Sequence, residues 1–356
     1  MRVADRMVSR NYLKYLHKSQ ANYMEINQRL ASGNRFTKLS DDVSAGSRVL
    51  RARMDRYKAE KQMENAKEAL ETLKGADDSL RAINDRITDI LEHRAIKALN
   101  DPTGDFGQDI LAREIQSMMD EILQYANNVY GKKFSFGGTN AWTAPFVVDA
   151  DTGKLRYNGV DMDSIRWVPD LVDPSDPGAG TLDTGRYMGL DTKGDLVKVP
   201  MDDDIYYDIG LGIKIPKTEV VSTTAFRLSY SGPEVFGFGV DDLGISSNIY
   251  NVLAEIQKGI LDFDREHVET WHTKLHTLAD KYRANLTDIG TRTRFLDSMV
   301  GRLTNQIDNH TEKIFNLMGV DDAEEATNQM MNDYVYKAVL QLGSRMLPLS
   351  LMDFIR

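Results

Sequence analysis

Apolar residues recur every seven positions near both ends of this chain, and this repeat constrains the fold more than any other feature. Near the C-terminus the main row is Val268, Leu275, Tyr282, Ile289, Leu296, Leu303, His310 and Leu317, and a second row is Leu286, Thr293, Val300, Ile307 and Ile314. Near the N-terminus the rows are Ala59, Ala66, Leu73, Leu80 and Ile87, and Ala69, Ala76, Ile83 and Ile90. Such a repeat keeps one apolar stripe against a partner helix, which predicts a coiled coil.

The middle of the chain has a different character between about residues 131 and 244. Glycine and proline become frequent and the apolar period falls to two, which is typical of strands. Segments 146–149 and 154–157 flank a turn and predict a hairpin; 165–168, 196–199 and 226–230 are further candidate strands, and 173–183 is a predicted surface loop. The sequence therefore predicts an α+β fold: a long antiparallel helical coiled-coil rod built from both chain ends, with a central β-rich domain inserted at the tip.

Local signals place the helix ends. Residues 3–31 are predicted to form an amphipathic helix that Ser32, Gly33 and Asn34 terminate, since glycine and asparagine accept the left-handed conformation. Ser40 is the predicted N-cap of the next helix, which runs to about Leu99, and a third spans 106–130. A break at Gly319 precedes a last helix that begins at Asp321. The predicted segments are 1–40, 41–130, 131–244, 245–318 and 319–356.

Composition excludes several classes of protein. The chain has no cysteine, so it forms neither disulfides nor thiolate metal sites. Its apolar stretches fall short of the roughly 18 residues that a membrane span needs. Residues 1–18 carry scattered Arg and Lys without a compact apolar segment, so a cleaved secretory signal is not expected. The protein either stays in the cell or leaves by a route that reads no cleaved signal.

Charge is distributed unevenly along the chain, whose net charge is −10. Residues 1–61 carry 14 Lys and Arg against 6 Asp and Glu, whereas residues 319–356 carry 3 against 6. These are either two solvated helix faces or two helices that attract one another, within or between subunits. The basic end lacks the aromatic platforms and reading motifs of nucleic-acid binding.

Three histidines, His267, His272 and His276, cluster on one predicted helix. The last two share a face, but Thr273 stands where a zincin requires a glutamate general base. We interpret them as solvated or inter-helix histidines.

The acidic clusters are interpreted as turns and solvated loops. Asp149, Asp151 and Gly153 resemble the start of a calcium loop, but Val160 stands where its bidentate glutamate belongs. Residues 202–204 are three consecutive aspartates. The sequence also lacks phosphate-binding, dinucleotide and nucleophile-elbow motifs. We expect no enzyme activity, no cofactor and no metal.

The C-terminus is rich in methionine and large apolar residues, especially over 347–355. Burial against a partner would stabilise each by about 1.5–3 kcal/mol, and exposure would promote aggregation. Packing within the chain is the alternative, but the break at Gly319 places the last helix poorly for folding back on the main rod.

Five segments together resemble the bacterial flagellin superfamily. They are Met1-Arg2-Val3; Leu30-Ala31-Ser32-Gly33-Asn34-Arg35 with Ser40-Asp41-Asp42; Tyr130 to Thr139 followed by Pro145-Phe146; Gly232 to Gly237; and Leu349-Ser350-Leu351-Met352-Asp353-Phe354. Val43 stands where these proteins often carry proline, and the Pro–Gly order at 232–233 is altered. The resemblance covers about the first 146 and the last 110 residues. Residues 130–139 and 349–354 resemble the hook-associated members more than the filament flagellins.

The resemblance implies a structural subunit that joins the flagellar hook to the filament by coupled folding and assembly of its terminal helices. It implies self-association in a ring, a hook-associated neighbour on the hook side, flagellin on the filament side, a flagellar export chaperone at the C-terminal region, and an extracellular location reached by type III export. The predicted assembly residues are Met7, Leu13, Leu16, Leu30, Val335, Leu342, Leu349, Leu351 and Phe354. The alternatives are a filament flagellin and an intracellular coiled-coil scaffold.

Overall fold

The computed structural model describes residues 2–38, 40–100, 105–131, 133–140, 142–169, 185–201, 204–215, 220–228 and 230–352. The helices are α1 (Arg2–Ser32), α2 (Val43–Asp89), a π-helical turn (Ile90–Arg94), α3 (Ala95–Asn100), α4 (Asp105–Ala126), α5 (Gly232–Phe236), α6 (Ile249–Leu261), α7 (Arg265–Met318) and α8 (Asp322–Met352). The strands are β1 (Val129–Tyr130), β2 (Lys133–Phe134), β3 (Phe146–Val148), β4 (Leu155–Tyr157), β5 (Val160–Asp161), β6 (Arg166–Pro169), β7 (Gly185–Leu190), β8 (Leu196–Lys198), β9 (Tyr206–Tyr207) and β10 (Phe226–Arg227). The predicted α+β class is confirmed.

The chain divides into two compact units. The terminal unit comprises Met1–Glu60 and Thr304–Arg356, and the central unit comprises Lys61–Leu303.

The predicted seven-residue rows are mostly buried. Every residue of the two N-terminal rows and the first six of the main C-terminal row are buried: Ala59, Ala66, Ala69, Leu73, Ala76, Leu80, Ile83, Ile87, Ile90, Val268, Leu275, Tyr282, Ile289, Leu296 and Leu303. The second C-terminal row is only half-buried. The main rows therefore provide much of the apolar core, as their spacing predicts.

Within the central unit, α7 runs antiparallel to α2. The Tyr282 hydroxyl donates to the Leu80 carbonyl at 3.0 Å, and the His272 ring nitrogen Nε2 lies 3.0 Å from the Leu91 carbonyl. Residues with higher numbers along α2 and its π-helical turn therefore contact residues with lower numbers along α7. Leu91 belongs to the π-helical turn, which interrupts the usual i to i+4 bonding. His272 donates to this carbonyl when Nε2 carries the proton, so the histidine has a structural partner.

Four small antiparallel sheets occur among the described residues, in the orders β1-β2, β3-β4-β5, β6-β7-β8 and β10-β9. The predicted hairpin is confirmed, because Phe146 pairs with Tyr157 and Val148 pairs with Leu155. The candidate strands at 165–168, 196–199 and 226–230 correspond to β6, β8 and β10. The predicted loop at 173–183 lies outside the described residues.

A buried polar network joins α6 to the strands of the central unit. The Asn251 side chain is 4% exposed; its Oδ1 accepts from the Leu155 amide at 2.8 Å and its Nδ2 donates to Asp163 at 2.9 Å. Asn248 caps α6, because its Oδ1 accepts from the Asn251 amide at 3.1 Å. Lys154 pairs with the Asp163 carboxylate at 2.9 Å. Each buried group therefore has partners, which lowers the cost of removing it from water.

Three predicted helix limits are wrong. Asp42, not Ser40, caps α2, because its Oδ1 accepts from the Ala45 amide at 2.8 Å. The helix predicted to reach residue 130 ends at Ala126, since Val129 and Tyr130 pair with β2 instead. The predicted segment 245–318 is not one continuous helix, because it is interrupted at 262–264, where Phe263 has φ +60.

We predict that Asn251→Ala lowers the free energy of unfolding by about 2–3 kcal/mol, because it leaves a buried amide and a buried carboxylate short of a partner. Denaturant unfolding of the full chain measures this change. Asn309→Ala, at an exposed position of α7, is the matched control and should leave the midpoint unchanged. Equal midpoints for the two variants would show that the network is not stabilising.

Candidate assembly surface

Polar and aromatic contacts hold the two terminal helices together. The rings of Tyr23 in α1 and Tyr336 in α8 stack with centroids 5.8 Å apart. The Gln329 amide nitrogen donates to Asn27 Oδ1 at 2.7 Å. Residues with higher numbers in α1 contact residues with lower numbers in α8, so the helices run antiparallel. The predicted attraction between the terminal helices thus corresponds to a pairing within the chain.

One ion pair reinforces this contact at a buried position. Glu325 is 5% exposed, and its Oε1 lies 3.5 Å from Arg29 Nη1. Its other oxygen accepts from the Asn328 side chain at 3.1 Å. A carboxylate buried in this way needs its cation, because an unpaired buried charge is costly.

Backbone hydrogen bonds join the segment that follows α1 to the segment that precedes α8. Gly33 ends α1 with φ +64, and its carbonyl accepts from the Val320 amide at 3.1 Å. The Arg35 amide donates to the Met318 carbonyl at 2.7 Å, and Asn34 bridges Gly319. The motif at 30–35 therefore positions the start of α8. After the break at Gly319, α8 folds back along α1.

Buried apolar side chains in the terminal unit all lie outside α1 and α8, as far as the described residues extend. They are Phe36, Ala45, Val49, Ala52, Ala59 and Met318. Among the described side chains of α1 and α8, the apolar ones are half-buried or exposed, so the pairing forms no apolar core of its own. Apolar burial is the main stabilising term in folding, and it contributes little to this pairing among the described residues.

Large apolar side chains are instead exposed along both terminal helices. In α1 they are Met7, Val8, Leu13, Tyr15 and Met24, and in α8 they are Met330, Met331, Tyr334, Val335, Leu340 and Leu342. Those of α8 are spread around most of the helix at about 100° per residue. A helix that is apolar on most sides is typical of a helix buried among several neighbours.

The predicted assembly residues have different positions. Met7, Leu13, Val335 and Leu342 are exposed by 66%, 50%, 43% and 55%, whereas Leu16 and Leu30 are half-buried. Leu349 and Leu351 belong to α8, but their side chains lie outside the described residues, as does Phe354 altogether. The assignment of these nine residues to assembly stays a prediction.

Sequence reasoning missed the most exposed apolar residues of α8, Met330 at 76% and Tyr334 at 75%. Neither is among the nine predicted assembly residues. The available signal was the width of the apolar surface of this helix, which extends beyond the residues chosen.

A groove of about 520 Å³ lies between α1 and α8. Its apolar walls include Val8, Tyr12 and Tyr15 from α1, and Val335, Val339 and Leu342 from α8. Ser19 also lines the groove, is 8% exposed, and its hydroxyl has no hydrogen-bond partner. An apolar groove with one unsatisfied polar group is a suitable surface for another helix.

One charged pair lies on the surface of α8 near the groove. The Asp333 carboxylate accepts from Lys337 Nζ at 2.6 Å, and this hydrogen bond raises the pKa of the lysine. The lysine therefore remains charged at neutral pH, which keeps this side of the helix hydrophilic.

The other candidate sites of the sequence have ordinary partners. His267 lies 3.1 Å from Glu255, and His276 lies 3.6 Å from Asp280. Asp204 pairs with Arg227, and residues 202 and 203 lie outside the described part of the chain. Among the described residues, no cluster of three or more His, Cys, Asp or Glu has the arrangement to hold a metal ion.

Hydropathy gives one further result. None of the helices in the described ranges combines the length and apolar character that a membrane span requires.

Comparison with known proteins finds similarity to flagellar proteins. Residues 3–141 match the bacterial flagellin N-terminal helical region. Over 165 residues the chain is 26% identical to flagellar hook-associated protein 3 of Escherichia coli strain K12, an alignment that covers 45% of this chain and 49% of that protein. The alignment thus spans about half the length of this curated relative.

A solved structure from Vibrio parahaemolyticus, assigned as a flagellar hook-associated protein, superposes with a TM-score of 0.52 at 16% identity. The superposition covers 78% of this chain and all of that one. This likeness shows a shared fold.

We predict that Gly343→Ala loosens the pairing of α1 with α8. A Cβ atom at Gly343 would overlap the phenol of Tyr12, so the ring must move out of the groove. Hydrogen exchange of the α1 amides at 8–22 should accelerate.

Gly301→Ala in α7 is the matched control, because its Cβ would meet no atom within 4 Å. This control should stabilise its helix by up to about 1 kcal/mol without changing exchange in α1. Unchanged exchange in Gly343→Ala would contradict the contact.

Proposed function

We propose that this chain is a member of the bacterial flagellin superfamily and a structural subunit of the flagellum that joins the hook to the filament. The name of its relative, flagellar hook-associated protein 3, supports the junction role over that of a filament flagellin. The mechanism is coupled folding and assembly, in which neighbouring copies cover the apolar surfaces of α1 and α8. The protein acts by packing, without catalysis or a cofactor.

The observation that carries this proposal is that the described side chains of α1 and α8 form no apolar core between them. Each large side chain buried against a neighbour contributes about 1.5–3 kcal/mol. Association costs an estimated 4–15 kcal/mol or more in lost freedom, plus side-chain ordering. The exposed apolar residues of the two helices, from Met7 to Leu342, are numerous enough to offset that cost. In a free monomer the same residues remain in water and the pairing relies on polar contacts.

The apolar surface of α8 is wide enough for two different contacts, which suits a ring. Met330, Met331 and Tyr334 occupy one arc of the helix, and Val335, Val339 and Leu342 occupy the next and line the groove. We infer that the first arc of one copy enters the groove of the next. Contacts between unlike patches are heterologous and close into rings or extend as helices.

Charge favours the same arrangement. Helix α1 carries 6 Lys and Arg against 2 Asp and Glu, and α8 carries 4 Asp and Glu against 2 Lys and Arg. A basic α1 beside the acidic α8 of a neighbour would guide docking and fix its orientation. Assembly should therefore weaken as salt rises, since exposed charges are screened.

The remaining roles follow from the family resemblance. Segments 1–40 and 319–356 form the assembly layer, 41–130 and 245–318 support it, and 131–244 faces outward. A hook-associated protein contacts the ring on the hook side and flagellin on the filament side. An export chaperone covers the C-terminal region before assembly, and the protein leaves the cell without a cleaved signal peptide. An intracellular scaffold would instead be absent from sheared flagella.

We predict that replacing Leu342 and Leu349 together by Asp abolishes incorporation at the hook end while the chain still folds. Two charges on the docking helix would have to be buried without partners, which costs several kcal/mol each. The measurement is filament growth and the presence of the variant in sheared flagella, in a strain that lacks the native protein.

Leu243→Asp is the matched control, since this leucine is 83% exposed and lies in the central unit. The control should incorporate normally. Circular dichroism of each purified variant verifies folding. Normal filaments with the double variant would refute the assembly role of α8.

A further inference from the structure

The central unit contains an aromatic cavity that the assembly role does not use. Its volume is about 350 Å³, and it lies between α2, the segment 130–138 and the strands β9 and β10. The segment is part of 130–139, one of the five stretches that resemble the flagellin superfamily. Six residues of that motif, Tyr130, Gly131, Lys133, Phe134, Ser135 and Gly138, line the cavity.

Hydrogen bonds to glutamates of α2 fix two tyrosines of the wall. The Tyr130 hydroxyl donates to Glu71 at 3.0 Å, and a Cβ atom on Gly75 would lie 3.0 Å from its ring. The Tyr207 hydroxyl donates to Glu68 at 3.1 Å. Burial and the nearby Glu68 raise the pKa of Tyr207, so its hydroxyl remains protonated. Both hydroxyls are thus engaged, and the rings are held rigidly.

The cavity presents further aromatic surface to solvent. Trp142 is 68% exposed at its edge, and Phe134 and Tyr230 line its wall. A large exposed indole has no role in the core of the central unit. Rigid aromatic faces of this kind bind flat apolar surfaces at low entropic cost.

Two polar groups among these rings have unused hydrogen-bonding capacity. The Ser135 hydroxyl is buried and has no hydrogen-bond partner. Glu68 Oε1 accepts from Tyr207, which leaves its second oxygen for a ligand. A buried hydroxyl without a partner costs free energy that a bound donor or acceptor would recover.

The charges at the cavity favour a neutral ligand. Lys133 lines the same wall as Glu68, so an ion of either sign meets one group of like charge. A neutral ring with an apolar face and hydroxyl edges satisfies the aromatic walls, the carboxylate and the free serine hydroxyl together. These are the properties of a pyranose sugar.

We propose that this cavity binds a neutral saccharide, with a pyranose ring stacked on Trp142 and its hydroxyl groups hydrogen-bonded to Ser135 and Glu68. The site is independent of the assembly surface, because every residue in it belongs to the central unit. The assembly role and the sugar site therefore succeed or fail separately.

The test presents immobilised trisaccharides to the purified full-length chain. Maltotriose, cellotriose and chitotriose are the neutral probes; sialyllactose and the chitosan trimer are the anionic and cationic probes. We expect saturable binding of at least one neutral probe and weaker binding of both charged ones. Saturation-transfer NMR on the wild-type chain should place the strongest transfer on ring C–H protons, as stacking requires.

Variants locate the site. Trp142→Ala should weaken binding by at least about tenfold and Ser135→Ala by about threefold, in keeping with the loss of a stacked ring and of one hydrogen bond. Trp167→Ala is the matched control, since this tryptophan is 44% exposed in β6, and it should bind normally. Thermal unfolding verifies that each variant is folded.

Three results would overturn the proposal. They are no binding of any neutral probe, equal or stronger binding of a charged probe, and undiminished binding by folded Trp142→Ala.

Discussion

Many large apolar side chains of the terminal helices are exposed to water, because the described parts of the same chain cover them only in part. Helices α1 and α8 meet through stacked tyrosines, an amide pair and the buried contact of Arg29 with Glu325. These contacts set orientation but bury little apolar area. Under the proposed assembly, other copies supply the free energy that makes the pair rigid, so that folding of these helices and assembly are one process.

In the central unit, apolar side chains and buried polar groups instead find their partners within the same unit. Its seven-residue rows are buried between α2 and α7, and the network around Asn251 and Asp163 supplies partners for buried polar groups. Such a unit has an apolar core of its own. This division suits a subunit that must exist as a monomer and then be incorporated at the end of a growing structure.

Sequence periodicity predicted the parts of the structure that depend on local pattern. The rows through Leu80 and Tyr282 predicted which helices pair, and glycine signals predicted the end of α1 at Gly33. Tertiary contacts decided the rest. The π-helical turn contains Leu91, and the carbonyl of Leu91 lies beside the ring of His272 on α7, some 180 residues further along the chain. The exposed Met330 and Tyr334 were not predicted, because the apolar surface of α8 is wider than the set of residues chosen from the sequence.

Thiol labelling at Met330 tests the central claim most directly, because the natural chain has no cysteine. A single Met330→Cys variant is labelled with a maleimide dye as the free monomer and again after addition to purified hook ends, with Leu243→Cys as the reference. The account predicts fast labelling of position 330 in the monomer and strong protection after assembly, while position 243 labels equally in both. Equal labelling of position 330 before and after incorporation would contradict the burial of α8 between copies.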